Sequence, residues 1–394
     1  MRIRHRLSPL DRCRPGVDLA DAGCQPAVLG AGGSPGKAMV IDCHGHYTTS
    51  PQQLARYRSE QIEGLANPHA TRAKGSLDIS DDQIRASLEP AQLRIQRERH
   101  TDLTIFSPRA AGMGHHVGDE ITSRHWSEHC NELIHRVCTL YPANFVGVCQ
   151  LPQSPGVAPE ACIPELDRCI EQFGFIGCNL NPDPSGGYWS GPPITDRAWY
   201  PLYERMVELD VPAMLHTSHS CNPAFHTAGA HYINGDTTVF MQLIEADLFR
   251  DFPTLRFIIP HGGGAVPYHW GRYRGIAQDM GRPPLADLLM NNVFFDTCVY
   301  HQAGIELLLK VIPADNILFA SEVVGAVQGI DPDTGHHFDD TKRYIDSVGW
   351  LPAADRDKIL HGNVSKVYPR FKPDLMRQRA PMPVPASALQ ENAG

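Results

Sequence analysis

The feature that most constrains this chain is a rhythm. From Met39 onward, short apolar runs alternate with stretches of helical periodicity. Residues 38–41 read as a strand, Ser80 and Gln83 form a capping box opening a helix towards Glu98, and 103–106 is the next strand. Trp126, Cys130, Leu133, Ile134 and Val137 share one helical face ahead of a strand at 145–151. Ile163, Leu166, Ile170 and Phe173 do the same before Gly174, which ends their helix ahead of a strand at 175–180. Further strands fit 212–216, 256–260, 293–296 and 317–320, with helical segments around 199–209, 237–248, 266–279 and 305–312. Each helix returns the chain to a parallel strand, so the pattern predicts an α/β protein, a (β/α)8 barrel. That fold takes about 250 residues, or more with insertions, and carries its sites on the loops after the strands. A doubly wound sheet would want a glycine-rich phosphate loop after its first strand. Here the first strand runs into Cys43-His44-Gly45-His46 instead.

Composition narrows the function classes. A chain 42% hydrophobic and 20% charged is not disordered overall. With 35 basic against 44 acidic residues, the net charge is −9 and the cations are scattered, which argues against nucleic acid as a partner. No stretch approaches the roughly 18 to 20 apolar residues of a membrane span. The 11 cysteines are odd in number and form no CxxC pair, so they read as buried thiols in a reducing cytoplasm. Residues 1–38 differ in kind. They hold basic residues and a Gly/Pro/Ala stretch without the apolar run of a secretory signal, and are expected to be a flexible leader or an over-extended start upstream of Met39. The barrel is assigned to 39–372 and a C-terminal tail to 373–394.

The polar residues fall where a barrel keeps its chemistry. His44 and His46 follow strand one, His216 ends strand five, His261 ends strand six, and Ser321-Glu322 ends strand eight. In an extended segment residues i and i+2 point the same way, so His44 and His46 offer two imidazoles to one ion. With 20 histidines in the chain, that pair alone says little. Its convergence with His216 and Glu322 on one rim predicts a metal site. The nitrogen and oxygen donors suit Zn²⁺, and Mn²⁺ or Fe²⁺ could take the same set. Cys43, between the two histidines, is expected to point the opposite way into the core. Gly262-Gly263-Gly264 lacks the Lys-Ser/Thr of a phosphate loop and reads as a place of close backbone approach.

Four segments carry a family resemblance: Ile41-Asp42-Cys43-His44-Gly45-His46, Met214-Leu215-His216, Ile259-Pro260-His261-Gly262-Gly263-Gly264 and Leu318-Phe319-Ala320-Ser321-Glu322. Together they resemble the amidohydrolase superfamily over about residues 39–370, in the branch that includes 2-amino-3-carboxymuconate semialdehyde decarboxylase. Within that branch, Gly174-Phe175-Ile176-Gly177-Cys178-Asn179-Leu180-Asn181-Pro182, Pro267-Tyr268-His269-Trp270-Gly271-Arg272 and Gly329-Ile330-Asp331-Pro332-Asp333-Thr334-Gly335-His336 are similar to the 4-oxalomesaconate hydratase family. The resemblance implies a hydro-lyase adding water to the C=C bond of 4-oxalomesaconate, to give 4-carboxy-4-hydroxy-2-oxoadipate in gallate or protocatechuate degradation. The alternative is a metal-dependent non-oxidative decarboxylase acting on a related carboxylated substrate. One departure favours the hydratase: the decarboxylases end strand eight with aspartate, whereas this chain has Glu322, as the hydratases do.

Hydration requires a base to deprotonate water, an electrophile to hold the growing enolate and an acid to protonate the neighbouring carbon. Glu322 is expected to act as base as well as ligand. The resemblance implies His261 as acid or oxyanion stabiliser. It also implies Tyr232 as a hydrogen-bond donor, in a loop after strand five long enough to form a lid. Arg109, just past strand two, and Arg272, after the glycine run, are expected to clamp carboxylates of a small polycarboxylate substrate. In related decarboxylases the second arginine sometimes acts across a dimer interface, which implies a homo-oligomer. Asn179 and Asn181 are candidate substrate contacts, with turn formation by Asn-Pro-Asp-Pro as the other reading. Lys342 and Arg343 either reach a carboxylate or form a solvated helix face.

Overall fold

Parallel strands joined by helices need both faces of their sheet covered, so nearly every strand residue must be apolar or internally paired. The computed structural model, which describes residues 39–67 and 73–372, meets that demand. The leader assigned to 1–38 and the tail assigned to 373–394 lie outside the described residues.

The strands are β1 (Ile41–Tyr47), β2 (Leu103–Pro108), β3 (Phe145–Gly147), β4 (Cys149–Gln150), β5 (Cys178–Leu180), β6 (Ala213–Leu215), β7 (Phe257–Ile259), β8 (Val293–Asp296) and β9 (Ile317–Leu318). All pair in parallel and in chain order, as β1-β2-β3 and as β4 through β9. β3 and β4 form one stave interrupted at Val148, whose N–H donates to Phe106 O at 3.0 Å, while the next amide, Cys149, donates to Gly177 O at 3.1 Å. The cylinder closes where Cys43 N–H donates to Phe319 O at 2.9 Å and Glu322 N–H to His44 O at 3.0 Å. Eight staves closed on themselves make the (β/α)8 barrel that the alternation predicts.

The sheet separates two apolar layers. Phe106, Phe145, Leu180, Phe257, Phe295 and Ile317 pack outward in one cluster with helix residues such as Val137, Leu202 and Phe240. Ile41, Leu103, Ile105, Met214, Ile258, Phe294 and Leu318 fill the cylinder and join Val364, Val367, Tyr368 and Phe371 from the end of the described chain. Those last residues sit against the end where strands begin: Arg256 Nε, just before β7, donates to Val367 O at 2.9 Å. The floor of the barrel is thus plugged with hydrocarbon, and its other end is left for polar residues.

Local signals account for some of the helix ends. The capping box is present, with Gln83 N–H on Ser80 Oγ at 3.2 Å and Ser80 N–H on Gln83 Oε1 at 2.9 Å. The single helix expected to follow is three pieces, Asp81–Leu88, a wider π-helical turn Glu89–Leu93 and Arg94–Arg99. Pro90 has no N–H to continue the ladder, which explains the break. Gly174 stops its helix at φ +69° as expected. Two boundaries differ in ways that affect the site. The first strand is Ile41–Tyr47 rather than 38–41, because polar residues inside a closed barrel still pair their backbones on both sides. The helix expected from Thr237 begins at Tyr232 and runs to Glu245. No helix among the described residues is long and apolar enough to cross a membrane.

Candidate metal centre and active site

The mouth of the barrel is shaped first by a defect in β1. Asp42 pairs with Thr104 and Gly45 with Phe106, so both Cys43 and His44 stand opposite the single residue Ile105. A bulge of this kind puts two successive side chains on one face. Cys43 therefore packs with Ile41 and Ile105 inside the barrel, not away from the histidines as strict alternation requires. It remains a core residue, and burial raises its thiol well above the ordinary cysteine range. Gly45 is needed here, since a Cβ would stand 2.3 Å from Thr104 Cγ2.

Above the bulge four imidazoles converge. Ring centroids lie 4.8 Å apart for His44 and His46, 5.0 Å for His44 and His216, and 4.9 Å for His216 and His261. Each ring is tied through Nδ1: His44 to Asp296 Oδ2 at 2.7 Å, His46 to Ser107 Oγ at 2.7 Å, His216 to Thr217 O at 2.7 Å and His261 to Asp236 Oδ2 at 2.9 Å. The carboxylates and the carbonyl can only accept. Ser107 has its own hydroxyl proton directed at the Gly45 and Pro108 carbonyls, so it accepts as well. All four rings thus carry a proton on Nδ1 and turn Nε2 inward. His216 Nε2 and His261 Nε2 are buried without a partner, and His44 Nε2 faces His46 Nε2 at 2.9 Å. A buried nitrogen without a partner is costly, and a cation removes that cost for a neutral ring such as His216. Burial and the neighbouring rings push His46 and His216 well below the usual imidazole range, which keeps them neutral as ligation requires.

One donor atom from each of His44, His216, His261 and Glu322 lies within 4.8 Å of every other. His46 stands beside this group against His44, so the group takes in three of the four expected ligands, His44, His216 and Glu322, with His261 as its fourth member. Burial alone would lower this ring, but the Asp236 carboxylate outweighs it and raises His261 to about 9. His261 and Glu322 have backbone φ of +53° and +51°, a left-handed conformation that costs non-glycine residues energy and clusters at functional sites. Gly262 makes the close approach expected of the glycine run: its N–H reaches Asp296 Oδ1 at 3.0 Å, and a Cβ would stand 2.3 Å from Val299 Cγ2.

The donors open onto a cavity of about 600 Å³ lined by His46, Arg109, His219, His226, Tyr232 and Glu322 among others. Arg109 is where a carboxylate clamp is useful. Tyr232 is not in a loop: it opens the helix Tyr232–Glu245, is 4% exposed, and stacks on His261 with centroids 5.2 Å apart. No lid need be drawn from it. Arg272 lies on the exposed side of the helix Trp270–Asp279, outside the lining of this cavity. The two asparagines are buried behind the site rather than in it. Asn179 Nδ2 donates to Ser107 Oγ at 3.1 Å, supporting His46, and Asn181 donates to Ser218 Oγ at 3.0 Å while accepting from Asp183 N–H at 3.0 Å in a turn. Lys342 pairs with Asp346 at 2.6 Å and Arg343 stacks over Tyr344, so neither faces the donors. Sequence reasoning passed over Asp296, Asp236, Ser107 and Tyr300, whose hydroxyl donates to Glu322 Oε2 at 2.6 Å. Asp296 alone carried a signal, as an acid ending a strand at the same rim.

Comparison with known proteins agrees with this geometry. The amidohydrolase family model matches residues 41–370. A 2-keto-4-carboxy-3-hexenedioate hydratase from Sphingobium sp. is 58% identical over 337 residues, covering 86% of this chain and 98% of that protein. The crystal structure of 4-oxalomesaconate hydratase from Rhodopseudomonas palustris superposes with a TM-score of 0.80 at 54% identity, over 86% of this chain and 98% of the other. A dihydroxybenzoic acid decarboxylase from Polaromonas sp., solved with bound manganese, shares the fold at a TM-score of 0.60 and 19% identity, over 84% and 96% of the two chains. A histidine-lined mouth on a closed parallel barrel, matched from the first strand to the last helix, places this chain in the amidohydrolase family.

Proposed function

We propose that this protein is a metal-dependent hydratase that adds water across the C=C bond of a tricarboxylic 2-keto acid in the breakdown of aromatic acids. The observation that carries the reading is the 58% identity to the Sphingobium hydratase across 98% of its length. The two hydratase relatives are named for isomers. In 2-keto-4-carboxy-3-hexenedioate the double bond is conjugated with the ketone; in 4-oxalomesaconate it lies one bond farther away. Hydroxyl addition at the carboxyl-bearing carbon of either gives 4-carboxy-4-hydroxy-2-oxoadipate. The conjugated isomer is the better electrophile, because charge from attack at C4 passes to the keto oxygen.

His44, His46, His216 and Glu322 would hold the cation, with Zn²⁺ the first choice and Mn²⁺ or Fe²⁺ able to use the same donors. When bound, it supplies Lewis-acid stabilisation of charge developing on the 2-keto carboxylate. Glu322 takes the proton from the attacking water. His261, held by Asp236 in a form that favours a proton on Nε2, stabilises the enolate or returns a proton to C3. Tyr232, stacked on that ring, offers its hydroxyl to the same charge. Arg109 binds a carboxylate at the cavity wall. Arg272 would serve the site of a neighbouring subunit rather than its own, which fits a homo-oligomer. Free thiols fit a cytoplasmic setting.

The test is a progress curve with each purified isomer, before and after chelation and zinc restoration. Loss of enone absorbance on the 3-ene without bicarbonate release is expected. Stoichiometric bicarbonate would replace this reading with a decarboxylase, and undiminished turnover after complete metal removal would end the metal-dependent one.

A further inference from the structure

Glutamate at the end of the last strand reaches about 1.5 Å farther than aspartate, one methylene, and the structure shows what that length meets. Tyr300, shortly after β8, donates its hydroxyl to Glu322 Oε2 at 2.6 Å. The phenol is itself held in place. Its ring packs against the interior cluster, and the Tyr344 hydroxyl donates to its backbone carbonyl at 3.3 Å. Gly325 leaves space beside the same residue: a Cβ there would stand 2.4 Å from the Glu322 carbonyl oxygen, 2.7 Å from its Cγ and 2.9 Å from Cδ. A side chain at 325 would push on both the backbone and the side chain of Glu322, so only glycine leaves them room.

We infer that Tyr300 is a positioning residue which holds Glu322 in one orientation, in space that Gly325 leaves open. The phenol engages one carboxylate oxygen and leaves the other to face the donor cluster and the attacking water. A carboxylate with both oxygens free can grip a divalent cation through both and lose its use as a proton acceptor. The hydrogen bond prevents that. Aspartate at 322 would draw the carboxyl back from the phenol, so Tyr300 and Glu322 work as a pair. The inference rests on the reading of Glu322 as the base.

The experiment compares Tyr300→Phe, Glu322→Asp and the double variant as metal-loaded enzymes, measuring kcat, KM and bound metal on the conjugated isomer. Tyr300→Phe is expected to lower kcat by roughly ten- to a hundredfold, the range for losing one hydrogen bond to a charged group. KM should stay within about twofold and metal content near that of the parent. In the Glu322→Asp background the same change should cost less than about twofold, since coupled residues are not additive. Parent-like kcat in Tyr300→Phe, loss of its metal, or an equal fall in the aspartate background overturns the inference. An active Glu322→Gln would instead remove the base and the positioning role with it. A dead Glu322→Gln beside an unaffected Tyr300→Phe removes the positioning role alone.

Discussion

The two ends of the barrel interior are built from the same strands and opposite chemistry. At the floor, Ile41, Leu103, Ile258 and Phe294 close against Val364, Val367 and Tyr368 in a largely hydrocarbon cluster. At the mouth, at the far ends of the strands, four histidines and a glutamate gather, with the Nε2 atoms of His216 and His261 buried without a partner. Left-handed backbone at His261, Glu322 and Val324 follows the mouth ends of β7 and β9. The difference teaches a division of labour. Hydrocarbon burial at the floor supplies the stability against which the mouth can hold strained, mutually repelling groups in place.

That contrast can be broken from either end, and the largest effect is expected at the mouth. His44→Ala combined with His46→Ala should abolish both metal retention and turnover; about one equivalent of zinc still bound after dialysis would contradict the ligand assignment. Glu322→Gln should cost at least about a thousandfold in turnover, since a general acid–base is typically worth 10²–10⁴, while a thermal melt stays near the parent's. Phe294→Ala tests the floor. It should lose about 3–5 kcal/mol of stability, read by denaturant titration, with the folded fraction still binding metal at parental affinity. Asp296→Asn sharpens the comparison by altering the carboxylate that supports His44 and also accepts from the Gly262 and Cys298 amides. Its metal affinity should fall about 10–100-fold, measured by competition with a chelator, and an unchanged affinity would mean the carboxylate does not orient the ring.

Much of the barrel was legible because its signals are local. Runs such as 103–106 and 293–296 announce strands, and the five apolar positions from Trp126 to Val137 announce a helix face, without reference to anything far away. The histidine set was legible at one remove: once eight strands are placed in parallel, residues at their ends must meet at one rim. What failed to show depends on partners distant in sequence. The bulge at Cys43 and His44 is set by the register against β2, so alternation alone turned Cys43 the wrong way. Tyr232 read as loop because the apolar periodicity of its helix begins later than its backbone does. Asn179 looked like a substrate contact, yet its side chain faces Ser107, 72 residues earlier. Arg272 follows a glycine run at the rim, but its helix carries it to the exposed side.

By itself, the sequence determined a closed parallel barrel with imidazoles and one carboxylate gathered at its carboxyl end, and the long arm at position 322. The tertiary structure decided which nitrogen each histidine presents, which acids hold them, and that a phenol meets the end of that arm. The reason is physical: periodicity and capping act over a few residues, whereas the contact of His44 with Asp296 spans 252 positions and exists only after the cylinder has closed.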